Sequence, residues 1–148
     1  ARNVIPSNVT IKGDTRGLTA VTQALIETRM RELVVNIGKA HNVAAELKYT
    51  HEFIVLVNTD RETDIAVQAA VDVVGADNVV PDCEPAACSE DFAQMLNMKP
   101  GCYVLIGNGT EGHHGCPLHN PGYDFNDEVL ETGAAWWVKL TENCLRVT

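Results

Sequence analysis

The amino-acid sequence predicts an α/β protein. Two observations carry that expectation. Segments with apolar residues at helical spacing alternate with short apolar or alternating runs. The composition also suffices for a core: 45% of the 148 residues are hydrophobic and 21% are charged. The length suits one domain or two small ones.

The order reads β-α-β up to about residue 58 and α-β-α-β-α from about residue 63. Ala1 to Pro6 reads as a strand already under way, interrupted by the proline. Val9 and Ile11 alternate with Thr10 and Lys12, which carries the strand to Gly13. Leu18, Val21, Leu25, Met30, Leu33, Ile37 and Ala40 then form one apolar stripe on a helix that stops near Asn42. Ala45, Leu47 and Tyr49 alternate with Glu46, Lys48 and Thr50 as a half-buried strand does. Phe53 to Val57 is a solid apolar run.

Asn58 to Asp64 is the most polar connection in the chain and the candidate domain boundary. Ile65 to Val74 has helical spacing and stops at Gly75. Asn78-Val79-Val80 reads as a short strand ended by Pro81. Ser89 reads as the N-cap of a helix reaching about Met98, with Glu90 and Asp91 in its first turn. Tyr103 to Ile106 reads as a fully buried strand. The last helix starts near Asn126 and is expected to bury Leu130, Ala134, Trp137, Leu140 and Cys144.

Charge excludes some function classes. With 11 basic and 20 acidic residues the formal charge is −9, so nucleic acid is not an expected partner. No run reaches the ~18 apolar residues of a membrane span, and no membrane partner is expected. The chain opens with strand-like residues, so no signal peptide is expected. Five cysteines at irregular spacing, with no C-x-x-C pair, fit a reducing cytoplasm rather than a disulfide framework. Cys102 and Cys144 read as small buried hydrophobes.

Chemistry concentrates after the 102–107 run. His113, His114, Cys116 and His119 fall within seven residues, and imidazole and thiolate are ligands that zinc prefers. The bland alternative is a polar loop with incidental histidines. His119 is the best single candidate, because Pro121 two residues on stiffens its loop. Cys116 shares C-x-x-H spacing with it, but the intervening Pro117 opposes joint chelation. Glu90 and Asp91 are candidates for orienting a metal-bound histidine, although helix capping explains Ser89, Glu90 and Asp91 together and is the favoured reading from the residues alone. Arg16, in a Gly-Asp-Thr-Arg-Gly turn, offers a planar fork suited to a carboxylate; a solvated surface charge is the commoner fate.

Several patterns in order resemble one family. They are Asn3-Val4-Ile5-Pro6 with Arg16 ten residues on, Asp77-Asn78-Val79-Val80, Cys88-Ser89-Glu90-Asp91-Phe92, and Pro100-Gly101 before Ile106-Gly107-Asn108-Gly109. The last is Leu118-His119-Asn120-Pro121-Gly122-Tyr123-Asp124-Phe125-Asn126-Asp127. Together they resemble the C-terminal part of metal-dependent amidohydrolases that include hippurate hydrolase, the auxin-conjugate (indole-acetyl-amino-acid) hydrolases and N-acyl-amino-acid deacylases. The resemblance implies the C-terminal half of a zinc-peptidase-like catalytic domain at residues 59–148. It implies part of a ferredoxin-like (β-α-β-β-α-β) lid, commonly a dimerisation domain, at residues 1–58.

By the same resemblance, His119 matches the last ligand of a two-metal site holding zinc, manganese, cobalt or nickel. Asn3 and Arg16 match lid residues that hold the carboxylate end of a small-molecule N-acyl amino acid. Ser89-Glu90-Asp91 matches a segment beside the site. The first half of the family pattern, with the remaining ligands and the general base, has no counterpart in these residues. The implied protein is therefore a fragment of a cytoplasmic, homodimeric hydrolase, inactive alone. The alternative from another class is a non-catalytic metal-binding or dimerisation module built on the His113-His114-Cys116-His119 loop.

Overall fold

The computed structural model describes residues 3–145. They fall into two compact units. One comprises Ala1–Val55 with Pro85–Glu90, the other Leu56–Glu84 with Asp91–Thr148. The expected first strand begins at Ala1 and Arg2, outside the described residues.

The first unit is built on helix α1 (Ala20–Ala40). Thr19 starts it by accepting the Thr22 backbone N–H on its hydroxyl at 3.0 Å. It ends where Asn42 takes φ +54°, the left-handed conformation that asparagine tolerates better than most residues. The chain then folds back on the helix, with Val43 N–H donating to Gly38 O at 2.9 Å. Gly38 is buried there, because a Cβ would meet both Ala45 Cβ and Val43 O at 2.8 Å. The expected apolar stripe is not the covered face: Leu18, Val21, Leu25, Leu33 and Ile37 are exposed, whereas Ile26, Met30 and Val34 are half-buried.

Residues 43–51 run back along α1, and the predicted alternation holds over 46–50 but not at Ala45, which is exposed. Leu47 and Tyr49 are half-buried, whereas Glu46, Lys48 and Thr50 are exposed. Side chains tie this run to the helix. Arg31 donates to Leu47 O at 3.4 Å and to the Glu27 carboxylate at 2.6 and 2.9 Å. His51 Nε2 lies 2.7 Å from the other Glu27 oxygen. Those partners, His51 first and Arg31 second, hold the Glu27 carboxyl below its usual pKa.

The second unit pairs α2 (Asp60–Val74) with α4 (Val129–Cys144). The polar stretch 58–64, read as a connection and candidate domain boundary, is mostly the first turn of α2. Asp60 and Glu62 sit there, where the helix dipole favours acids. Gly75 ends α2 at φ +82°, as the sequence suggested. Ala66 and Ala69 are 3% and 0% exposed, and their small side chains let α4 approach. Trp136 Nε1 donates to Ala66 O at 3.1 Å, and Asn143 to Asp72 at 3.2 Å.

This packing corrects the expected face of α4. Trp136 and Leu140 are half-buried, whereas Leu130, Ala134, Trp137 and Cys144 are exposed. The helix carries apolar residues on both faces, so periodicity alone could not select the one that meets α2.

No strand forms among the described residues, so the β part of the α/β expectation and the ferredoxin-like lid are not seen in them. Alternation specifies which side chains share a face, but a strand also needs a backbone partner. At Tyr103 the partner is a side chain. Asn58 Nδ2 donates to Tyr103 O at 2.9 Å, and Asn58 Oδ1 accepts Tyr103 N–H at 2.8 Å. The expected buried strand is open to solvent instead, with Leu105 73% exposed. The expected strand at Asn78 to Val80 starts as a 3-10 turn, Ala76–Asn78.

The helix expected from Ser89 to Met98 is a single turn and a half, α3 (Phe92–Leu96), with Asp91 rather than Ser89 at the position before its first residue. Its Ala93 is buried, and Phe92 stacks obliquely on Tyr103 with ring centroids 5.7 Å apart. Cys144 is exposed rather than buried, and all five cysteines are free thiols. No described helix is long and apolar enough to cross a membrane.

Candidate active site

One side chain ties three points of the loop between residue 107 and α4 together. Asn108 Nδ2 donates to His114 O at 3.1 Å and to Asp124 O at 2.8 Å. Its Oδ1 accepts the Asn126 backbone N–H at 2.8 Å. A primary amide has two donors and one acceptor oxygen, and all are engaged here. Asn108 thus closes a loop of which His119 is near the middle. In the sequence it reads only as part of a Gly-Asn-Gly turn; its position between two glycines after an apolar run was the available signal.

Within the clasp, His113 and His114 lie on a 3-10 turn, Gly112–Gly115. His114 serves the loop itself, with Nδ1 at 3.3 Å from Asp124 O and 3.5 Å from its carboxylate. Cys116 follows the turn and is half-buried.

His119 is set apart from them. Its φ is +68°, a left-handed conformation that costs a side chain of this size free energy. Two backbone bonds flank it: Asn120 N–H to Pro117 O at 3.2 Å, and Tyr123 N–H to Asn120 O at 2.9 Å. Asn120 Oδ1 also accepts Gly122 N–H at 2.8 Å, an Asx turn. The result is an exposed imidazole on a tight, hydrogen-bonded turn. The stiffness expected from Pro121 comes at least as much from Asn120.

The other candidates are placed as follows. Asn3 and Arg16 belong to the first unit, both are exposed, and no direct hydrogen bond joins them among the described residues. Arg16 Nη1 donates to Thr15 O at 3.0 Å. Glu90 closes the second segment of the first unit, and Asp91 opens that of the second. Capping does not explain this segment as expected. The Asp91 side chain makes no capping bond, and Ser89 Oγ is buried with no hydrogen-bond partner.

Among the described residues no group of three or more His, Cys, Asp or Glu side chains could hold a metal ion. The self-contained His113-His114-Cys116-His119 centre is therefore not assembled. A catalytic zinc takes about three protein ligands, so His119 alone does not make a metal site. The residues present fit such an ion only as one imidazole donor.

The family model for peptidase family M20/M25/M40 matches residues 2–143. The chain belongs to this family. A hippurate hydrolase of Campylobacter jejuni is 30% identical over 146 residues, 99% of this chain and 37% of that protein. An IAA-amino acid hydrolase of Arabidopsis thaliana is 30% identical over 139 residues, 91% of this chain and 31% of that protein. An N-acetyldiaminopimelate deacetylase of Streptococcus suis is 29% identical over 128 residues, 86% of this chain and 33% of that protein. The chain spans about a third of the length of the curated relatives it matches. No solved structure matches it significantly. Membership of the M20/M25/M40 family fits a zinc-peptidase-like fold, and enzymes of this family generally depend on divalent metals.

Proposed function

We propose that this chain is part of a metal-dependent amide hydrolase acting on N-acyl amino acids of the hippurate type. The family match over residues 2–143 carries the reading. Relatives named for hydrolysis of hippurate, IAA-amino acids and N-acetyldiaminopimelate support the substrate class. In this reading residues 1–58 are part of a ferredoxin-like lid through which the enzyme dimerises. Residues 59–148 are part of the catalytic domain. The setting is the cytoplasm.

The roles divide by chemistry. Asn3 and Arg16 bind the free carboxylate of the substrate, Arg16 through its planar fork. His119 supplies one imidazole to a site for two divalent ions, zinc, manganese, cobalt or nickel. Glu90 and Asp91 stand beside that site as orienting carboxylates. The remaining ligands and the general base belong to the part of the enzyme outside this chain, and the 148 residues alone are inactive.

The test uses both forms of the protein. The full-length protein should hydrolyse hippurate and acetyl amino acids when supplied with zinc, manganese, cobalt or nickel, and chelation should abolish turnover. The 148-residue chain should do neither. Metal-dependent turnover by that chain as a monomer would refute the division of roles.

A further inference from the structure

Arg16 can select a carboxylate only if its turn is fixed, and the first unit contains a device that fixes it. The Thr15 hydroxyl and the Tyr49 hydroxyl lie 2.6 Å apart, half-buried and 34 residues apart in sequence. Arg16 Nη1 donates to the carbonyl of the same Thr15 at 3.0 Å. Thr15 is therefore held by Tyr49 through its side chain and holds the guanidinium through its backbone. Of the five guanidinium donors, this leaves the others for a ligand.

Tyr49 is itself anchored. Its ring packs against His51 with centroids 5.1 Å apart, and His51 Nε2 lies 2.7 Å from Glu27 on α1. Arg31, one turn along α1, engages Glu27 and reaches back to Leu47 O. Leu47 through its carbonyl and His51 through its ring thus register the run at 47–51 against the helix, with Tyr49 between them. The Thr15 turn inherits that register through a single hydroxyl pair.

We infer that Tyr49 is a positioning residue for Arg16 and, through Thr15, sets the preference of the enzyme for substrates that carry a free carboxylate. The inference rests on the proposed role of Arg16. A side chain placed in advance loses less conformational freedom when the ligand binds, so loosening it weakens binding of the group it recognises. It does not weaken binding of a substrate without that group.

The experiment compares an N-acyl amino acid with its carboxamide in the full-length protein. Tyr49→Phe removes one oxygen, and Thr15→Val replaces the hydroxyl with a methyl group. Each should lower kcat/KM for the carboxylate substrate by about twofold to tenfold, mainly through KM. The carboxamide should be unaffected, the double variant should be little worse than either single one, and Thr15→Ser should restore the preference. If Thr15→Val does not fold, the Tyr49→Phe comparison still decides. Equal losses on both substrates would overturn the inference, because they would mark a purely structural role. So would unchanged kinetics in Tyr49→Phe when Arg16→Ala loses the carboxylate substrate selectively; the role of Arg16 would then stand. If Arg16→Ala shows no selectivity, the role of Arg16 fails and the positioning inference falls with it.

Discussion

His119→Gly and His119→Ala should separate backbone strain from imidazole chemistry. The native φ of +68° is left-handed. For a residue with a Cβ that conformation costs roughly 1–2 kcal/mol. Alanine keeps the Cβ and so keeps the cost. Glycine removes it, but adds roughly 0.5–1 kcal/mol of chain entropy in the unfolded state. The exposed imidazole contributes little burial to offset. The glycine variant should therefore match or exceed the alanine variant by up to about 1.5 kcal/mol. Both should lose metal-dependent activity in the full-length protein, because neither has the ring. The assay is urea unfolding of both variants beside a turnover measurement with added metal. A glycine variant less stable than the alanine variant would refute the strain argument. An active glycine variant would refute the ligand role.

Three further outcomes are expected. In the full-length protein His113→Ala should retain metal and activity where His119→Ala loses them; equal losses would place the ligand role elsewhere in the loop. Asn108→Ala removes three hydrogen bonds worth roughly 0.5–1.5 kcal/mol each. It should speed hydrogen exchange at the Asn126 amide, and unchanged exchange there would show that the clasp is not needed. Glu27 has a lowered pKa when folded, so its contribution to stability is present above its ordinary pKa of 4.5 and is lost as pH falls below it. Glu27→Gln should flatten the acid limb of the stability curve in that range, and an unchanged limb would mean the His51 and Arg31 contacts are not formed in solution.

Much of the helical frame was legible because its signals are local. The end of α1 near Asn42 and the stop of α2 at Gly75 are each written by a residue that accepts positive φ. The start of α2 was less legible. Its first turn is as polar as a linker, because acids favoured by the helix dipole look like solvent-exposed loop residues. The face of α4 was not legible, since Trp136 and Trp137 are neighbours of equal hydrophobicity. The choice between them is made by Ala66 and Ala69 on α2. Strands failed for a different reason. The alternation is present in the exposure of the side chains at 46–50, though not at Ala45, yet the run forms no ladder among the described residues. A pattern of faces contains no information about the partner.

The candidate site shows what the family motifs encode. The stretches Ile106 to Gly109 and Leu118 to Asp127 are separate in sequence, but they meet at Asn108, which binds Asp124 and Asn126. Within the second stretch, Asn120 and Gly122 form the Asx turn. In the same way Gly101, from the Pro-Gly motif, exchanges bonds with Thr59 at the start of α2. Asn108, Asn120, Gly122 and Asn126 are thus motif residues that hold the loop around His119. This explains why the family was recognisable from spacing while the geometry was not. Turn-forming residues must occupy fixed positions relative to one another, so their order survives as a readable pattern. The hydrogen bonds that join one motif to another cross many residues and leave no local trace. At His119 the nearby Pro121 is only part of the reason the backbone is held, because Asn120 supplies the hydrogen bonds of the turn.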